Sequence, residues 1–208
     1  VTAMDEICKR SKTILLLQGS GLMDNISDSL KACFPHDNVI VPHIECNPDE
    51  DLPYIRLLCQ GHHPDLIIGV ELGAMYAITL HEYHRICINP SSWNVLRGIM
   101  NVMALENLDK HLFDNLSEES RRKCWGFFIS EIPYNFLRGS FIPQFFPNVI
   151  DIPRNGRDNS VILQDVILPF ANMLLDGEQT DEWGVTYSNY GRILKKVDPL
   201  LFTCEEYS

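Results

Sequence analysis

Histidine stops early in this chain. The seven histidines are His36, His43, His62, His63, His81, His84 and His111, and none follows His111. Hydrolytic sites that take nucleophile, acid and histidine in that chain order, with the histidine after the last strand, therefore lack their base here. Cations are scarce too, with 17 Lys and Arg against 28 Asp and Glu and a formal net charge of -11. Such a surface repels a phosphate backbone, so nucleic acid is excluded as a partner. The basic clusters, Arg121-Arg122-Lys123 and Lys195-Lys196, are short enough to read as solvated faces. No apolar run approaches the roughly 18 residues of a membrane span, so no membrane partner is expected. The apolar Ile14 to Leu17 is also far shorter than a signal-peptide core, and a cytoplasmic location is expected. The seven cysteines contain no C-x-x-C pair, which argues against a disulfide framework or a zinc site. They are read as reduced, structural thiols, with no metal and no cofactor.

What the chain does have is a stretch that organises the rest. Leu66 to Ile68 is apolar, too short for a helix and bounded by Pro64 and Gly69, which predicts a buried strand. From Leu72 to Leu80 small and apolar residues continue without a breaker, as in a buried helix. Between them lies Gly69-Val70-Glu71-Leu72-Gly73. This is the frame of a nucleophile elbow, Gly-x-Ser-x-Gly, with glutamate at the serine position. A turn that sharp brings strand and helix backbones together, and glycine at its flanks leaves room for them.

Around this stretch, strands and helices alternate. Strands are predicted at Thr13 to Leu17, Val39 to Val41, Arg85 to Asn89, Trp125 to Ile129 and Val149 to Ile152. Helices are predicted at Met23 to Cys33, from Asn47-Pro48-Asp49-Glu50 to Gly61, over 134–146, and from Ser160 to Leu175 with a kink at Pro169. In 91–123, Val95, Ile99, Val102, Met103 and Leu105 suggest a helix, and a second follows Leu116; this insertion is read as a lid above the elbow. The alternation predicts an α/β domain over 1–175, with a mostly parallel sheet of about six strands and helices on both faces. Residues 176–208 read as a C-terminal tail that docks on the body or binds a partner.

In combination, these segments carry a family likeness. Ile14 to Gly19, Asn47 to Glu50, Asp65 to Gly69, Gly73 to Ala77 and Ile86 to Pro90 lead it, and Cys124 to Gly126 and Phe146 to Asn148 continue it. Over roughly residues 12–175 the chain resembles the small YqiA/YcfP-type esterases of the α/β-hydrolase superfamily. The resemblance implies a three-layer α/β-hydrolase fold and the hydrolysis of carboxylic esters. It also marks the departures. Relatives carry His-Gly after the first strand, serine at the elbow, an Asp-rich loop after the fifth strand and Gly-x-His-Arg after the sixth. Here those positions hold Gln18-Gly19, Glu71, Ser130-Glu131-Ile132-Pro133 and Arg154-Asn155-Gly156-Arg157. Only Glu131, from a shifted position, could supply an acid, and Gly156 stands opposite the histidine.

Glu71 is accordingly read either as the residue of a degenerate elbow or as a carboxylate that anchors a ligand in a retained pocket. An acid nucleophile would need a histidine to hydrolyse its covalent ester. The candidate ligand-binding set is Gln18, Gly19 and Ser20 of the former oxyanion loop, Glu71 and Leu72 of the elbow, and Arg154 and Arg157 of the loop that held the histidine. The Glu71 carboxylate is expected to accept at least one backbone N–H bond, from the start of the following helix or from the Gly19-Ser20 loop, and to have one of these arginines within salt-bridge range. The functional expectation is a pseudoenzyme that binds a small molecule above the elbow, or a protein through its tail. The alternatives are a weak carboxylic-ester hydrolase with rearranged residues and a purely structural partner domain.

Overall fold

The computed structural model describes residues 11–19, 26–91, 93–113, 117–130, 148–154, 156–176 and 202–203. The first half runs β1 (Thr13–Gln18), α1 (Ile26–Cys33), β2 (Asn38–Ile40), α2 (Pro48–His62), β3 (Leu66–Val70) and α3 (Leu72–Ile78). After β4 (Arg85–Ile88) come α4 (Trp93–Ile99), α5 (Val102–Phe113), α6 (Glu118–Arg122) and β5 (Cys124–Ser130). The remainder is β6 (Asn148–Pro153), α7 (Asn159–Ile162), a π-helical turn at Leu163–Ile167, α8 (Leu168–Asp176) and β7 (Phe202–Thr203). These strands form one sheet in the order β2-β1-β3-β4-β5-β6-β7. β1 to β6 pair in parallel, and β7 adds antiparallel to β6. The α/β class expected from the alternating pattern is what the molecule has. The expected 134–146 helix, Glu131, and the tail apart from Phe202–Thr203 lie outside the described residues.

Period-2 alternation splits β1 to β5 between two cores. Ile14 and Leu16 of β1 point to one face, where α1 packs with α7, the π turn and α8. Leu15 and Leu17 point to the other, against α2, α3 and the α4–α5 segment. With both faces covered, a strand must be apolar at every position, which is why β1 and β3 read as unbroken apolar runs. Phe170 of α8 closes the first core edge-on to Trp125 and Phe127, with ring centroids 4.8 and 5.1 Å away.

The helix signals translate locally. Asn47 caps α2, its Oδ1 accepting from the Asp49 amide at 3.2 Å, with Pro48 in the first turn. The helix runs one residue past Gly61, and His63 takes the left-handed cap position at φ 47°. A π turn precedes Pro169, closed by the Leu168 amide on Leu163 O. Proline has no amide, and its ring crowds the carbonyl four residues back; the wider turn relieves both.

One expectation is overturned. The 91–123 insertion is no lid: Leu96, Met100, Ala104, Leu108 and Leu112 are buried in the second core, and Asn107 Nδ2 donates to Asp49 Oδ1 of α2 at 2.6 Å. The buried stripe at i, i+4 and i+8 of α5 places that helix in the layer beside α2. Ile99, Val102 and Met103, part of the apolar pattern that suggests a helix here, are exposed.

At the amino-terminal edge of the sheet a guanidinium is buried. Arg85 is 1% exposed and donates from Nε to Tyr83 O (3.0 Å), from Nη1 to Ile78 O (2.6 Å) and from Nη2 to Ser120 O. Beside it, burial together with the charges of Lys123 and Arg85 pushes the His84 imidazole down to about 4. His84 is thus neutral in the fold at pH values where the unfolded chain, with an ordinary value near 6.5, already binds a proton. The cost is absent above pH 6.5, grows as pH falls toward 4, and levels off below. Replacing His84→Gln should flatten the stability profile between pH 4 and 6.5 by up to about 3 kcal/mol, and leave it unchanged above pH 7. Urea unfolding at pH 4.5 and 7.5 checks this; an equal slope in both proteins contradicts it.

Candidate functional site

Strand order places the site. β1 leads to β2 on one side, and β3 then lies on the other side of β1, so the carboxyl ends of β1 and β3 flank the point where the order reverses. Open α/β sheets bind ligands in the crevice there. Gly19 follows β1 and Glu71 follows β3, so both stand at this edge.

Glu71 has φ 53° and ψ -112°, a combination rare for a residue with a side chain. Such a conformation costs about 1–3 kcal/mol and persists only where the surroundings over-determine it. They do so here. The Glu71 amide donates to Ile88 O at 2.9 Å, continuing the β3–β4 ladder. Its carbonyl accepts from Ala74 (3.1 Å), Met75 (3.3 Å) and Ser91 (3.4 Å). Strand, helix and the loop after β4 all hold the one residue.

The glycines make this approach possible. A Cβ on Gly69 would lie 2.5 Å from Gly73 O and 2.6 Å from Ala74 Cα. On Gly19 it would meet Leu72 Cβ at 2.4 Å. On Gly73 it would fall 2.0 Å from Leu17 O. The collision expected between strand and helix is present at Gly69, whereas Gly73 is constrained by β1, one strand over.

Of the predicted set, Gln18, Gly19, Glu71 and Leu72 come together at the β1/β3 edge. Leu72 is present there through its backbone: its side chain is buried in the second core, and its amide finds no acceptor among the described residues. Glu71 is half-buried, and its carboxylate does not cap α3, contrary to the capping expectation. Ser20 lies outside the described residues. Arg154 and Arg157 follow β6, three strands from β3, or about 14 Å of sheet at ~4.8 Å per strand. Their loop is braced on itself. Arg154 Nη1 donates to Asn159 Oδ1 at 2.6 Å, and Arg157 donates to Arg154 O from its amide (2.9 Å) and Nε (3.3 Å). Gly156, in the same loop, is exposed at φ 75°.

Sequence reasoning missed Asn89. At φ 45° it turns the chain out of β4, and its side chain imitates a strand peptide toward β5. Oδ1 accepts from the Ile129 amide at 2.7 Å and Nδ2 donates to Ile129 O at 3.3 Å. Asparagine tolerates the left-handed region better than other side chains. That pairing fixes the exit from β4 and so delivers the Ser91 amide to Glu71 O. The available signal was Asn89-Pro90, an asparagine where a strand must end.

No protein-family model, curated protein or solved structure matches the chain.

Proposed function

We propose that the chain is an α/β-hydrolase-fold pseudoenzyme, a degenerate member of the YqiA/YcfP-type esterases that keeps the carboxyl edge of its sheet as a cytoplasmic binding site. The observation that carries this reading is Glu71 in a strained strand-to-helix turn between Gly69 and Gly73. That is the backbone of a nucleophile elbow without its nucleophile. The strand order and the helices on both faces support the fold assignment. The groups for a ligand are the Gln18–Gly19 turn, the Glu71 carboxylate, the Leu72 amide, and Arg154 and Arg157 from the far loop. A carboxylate nucleophile would leave a covalent ester that water must attack with help from a base. The position for that base holds Gly156.

The purified protein should hydrolyse p-nitrophenyl acetate and butyrate no faster than a heat-denatured control. Glu71→Ser alone should not rescue activity, because a serine hydroxyl without a base is a poor nucleophile. Turnover by the unaltered protein would favour the rival reading, a weak carboxylic-ester hydrolase. Rescue by Glu71→Ser would show that another residue supplies the base, and the pseudoenzyme reading would fail.

A further inference from the structure

The opposite, amino-terminal edge of the sheet holds a cavity of about 540 Å³. Its walls include Arg56 of α2, His81 and Glu82 after α3, and Glu119, Ser120 and Lys123 in and just after α6. The volume lies in the range of small-molecule sites.

Two features of the surrounding charge point to what fits. The first is Arg85, buried directly behind Ser120. Its acceptors are three carbonyls and the Ser120 hydroxyl, the last at 3.3 Å from Nη2. Carbonyls satisfy the N–H groups but leave the unit charge without a counter-ion among the described residues, and a buried uncompensated charge is costly. Ser120 Oγ also bonds His81 Nδ1 at 2.6 Å, so the guanidinium is linked to the cavity wall. The second is the wall itself. With Arg85 behind it, the cavity gathers Arg56, Lys123 and Arg85 against the carboxylates of Glu82 and Glu119. This local excess of positive charge sits in a chain of net charge -11. Lys123 Nζ is met by Glu119 Oε1 at 3.2 Å, but the Glu119 side chain is 79% exposed. Ion pairs so exposed are held weakly, so that carboxylate is displaceable.

We propose that this cavity is a binding site for a small oxyanion-bearing ligand, a carboxylate or a phosphate, which displaces Glu119 from Lys123 and supplies the counter-charge that Arg85 lacks. Its chemistry and its location are independent of the reading of Glu71.

Thermal unfolding of the full chain at pH 7, with sodium chloride used to hold ionic strength constant, tests the idea with inorganic phosphate and acetate as probes. At least one of them should raise the midpoint saturably, and which one does so distinguishes the phosphate from the carboxylate source. Lys123→Met should weaken the apparent affinity at least tenfold. Glu119→Gln, which removes the internal competitor, should tighten it about threefold or more, a gain that general destabilisation cannot imitate. Glu71→Gln should leave the affinity unchanged. The proposal is overturned if neither anion gives a saturable shift. A linear shift that survives Lys123→Met is the general salting effect of excluded ions and also overturns it. So does a failure of Glu119→Gln to tighten binding, or loss of the response in Glu71→Gln, which would move the ligand to the other edge.

Discussion

Gly73→Ala is expected to cost at least about 4 kcal/mol, most of the stability of a protein at the low end of the usual 5–15 kcal/mol range. The added Cβ would sit 2.0 Å from Leu17 O, 2.4 Å from Leu17 C and 3.0 Å from Gln18 N. Overpacking a core with a methyl costs about 1–3 kcal/mol when side chains can yield. Here the obstacles are main-chain atoms of β1, which is held by β2 on one side and β3 on the other. Neither the strand nor the first turn of α3 can shift without breaking a ladder or moving Glu71. Gly61→Ala near the end of α2 is the control, since nothing lies within 4 Å of its added Cβ. In a helix that change should be neutral or stabilising by up to about 1 kcal/mol. Urea unfolding compares the two. A Gly73→Ala protein within 1 kcal/mol of the unaltered one would show that β1 and α3 approach less closely than described.

The same contact explains what could be read in advance. The elbow was legible because a close backbone approach demands glycine at fixed spacing, and that demand is written in the residue types. The buried strands were legible because burial on both faces leaves no polar positions in 14–17 of β1 or in Leu66–Val70. The phase of α4 and α5 was not. Apolar residues occur on both sides of that segment, and Ile99, Val102 and Met103 outweigh the true inward stripe, which includes the small Ala104. Side chains that serve main-chain groups were invisible for another reason. Asn89 answers the peptide of Ile129, and Arg85 answers Ile78 O and Ser120 O. Every residue has such groups, so no partner residue marks the site in the sequence.

The elbow also separates what the fold needs from what chemistry needs. The Glu71 amide and carbonyl are bonded to Ile88, Ala74, Met75 and Ser91. None of these bonds requires a particular side chain at position 71. A strained turn secured in this way does not depend on the chemistry of its side chain, because strand and helix balance the strain through the main chain. The carboxyl edge of the sheet can therefore hold its shape whichever side chain stands at position 71.

Asp51 follows the same main-chain logic, and its loss is expected to have the second large effect. The residue is buried in the first turn of α2. Its Oδ1 accepts from the Glu45 amide at 2.9 Å, and its Oδ2 from the Asn47 amide at 2.9 Å and the Tyr76 hydroxyl at 2.8 Å. One carboxylate thus ties the loop after β2, the start of α2 and the middle of α3 together. Burial, followed by the bond to Asp51, drives the Tyr76 phenol far above its ordinary value, so it stays protonated and remains the donor. Asp51→Ala removes the common acceptor and strands three donors, at about 1–3 kcal/mol each when buried and unmet, so a total near 3–5 kcal/mol is expected. Tyr76→Phe strands nothing, since the carboxylate keeps both amides, and should cost only about 1–2 kcal/mol. The two changes should not add. Once Asp51 is gone the phenol is itself an unmet donor, so the double variant should be more stable than the sum predicts, by about 1–2 kcal/mol. Urea midpoints of the four proteins close the cycle. Additive losses would mean that the hydroxyl finds another acceptor, and an Asp51→Ala cost below 1 kcal/mol would mean that water reaches the loop amides and the carboxylate is not its anchor.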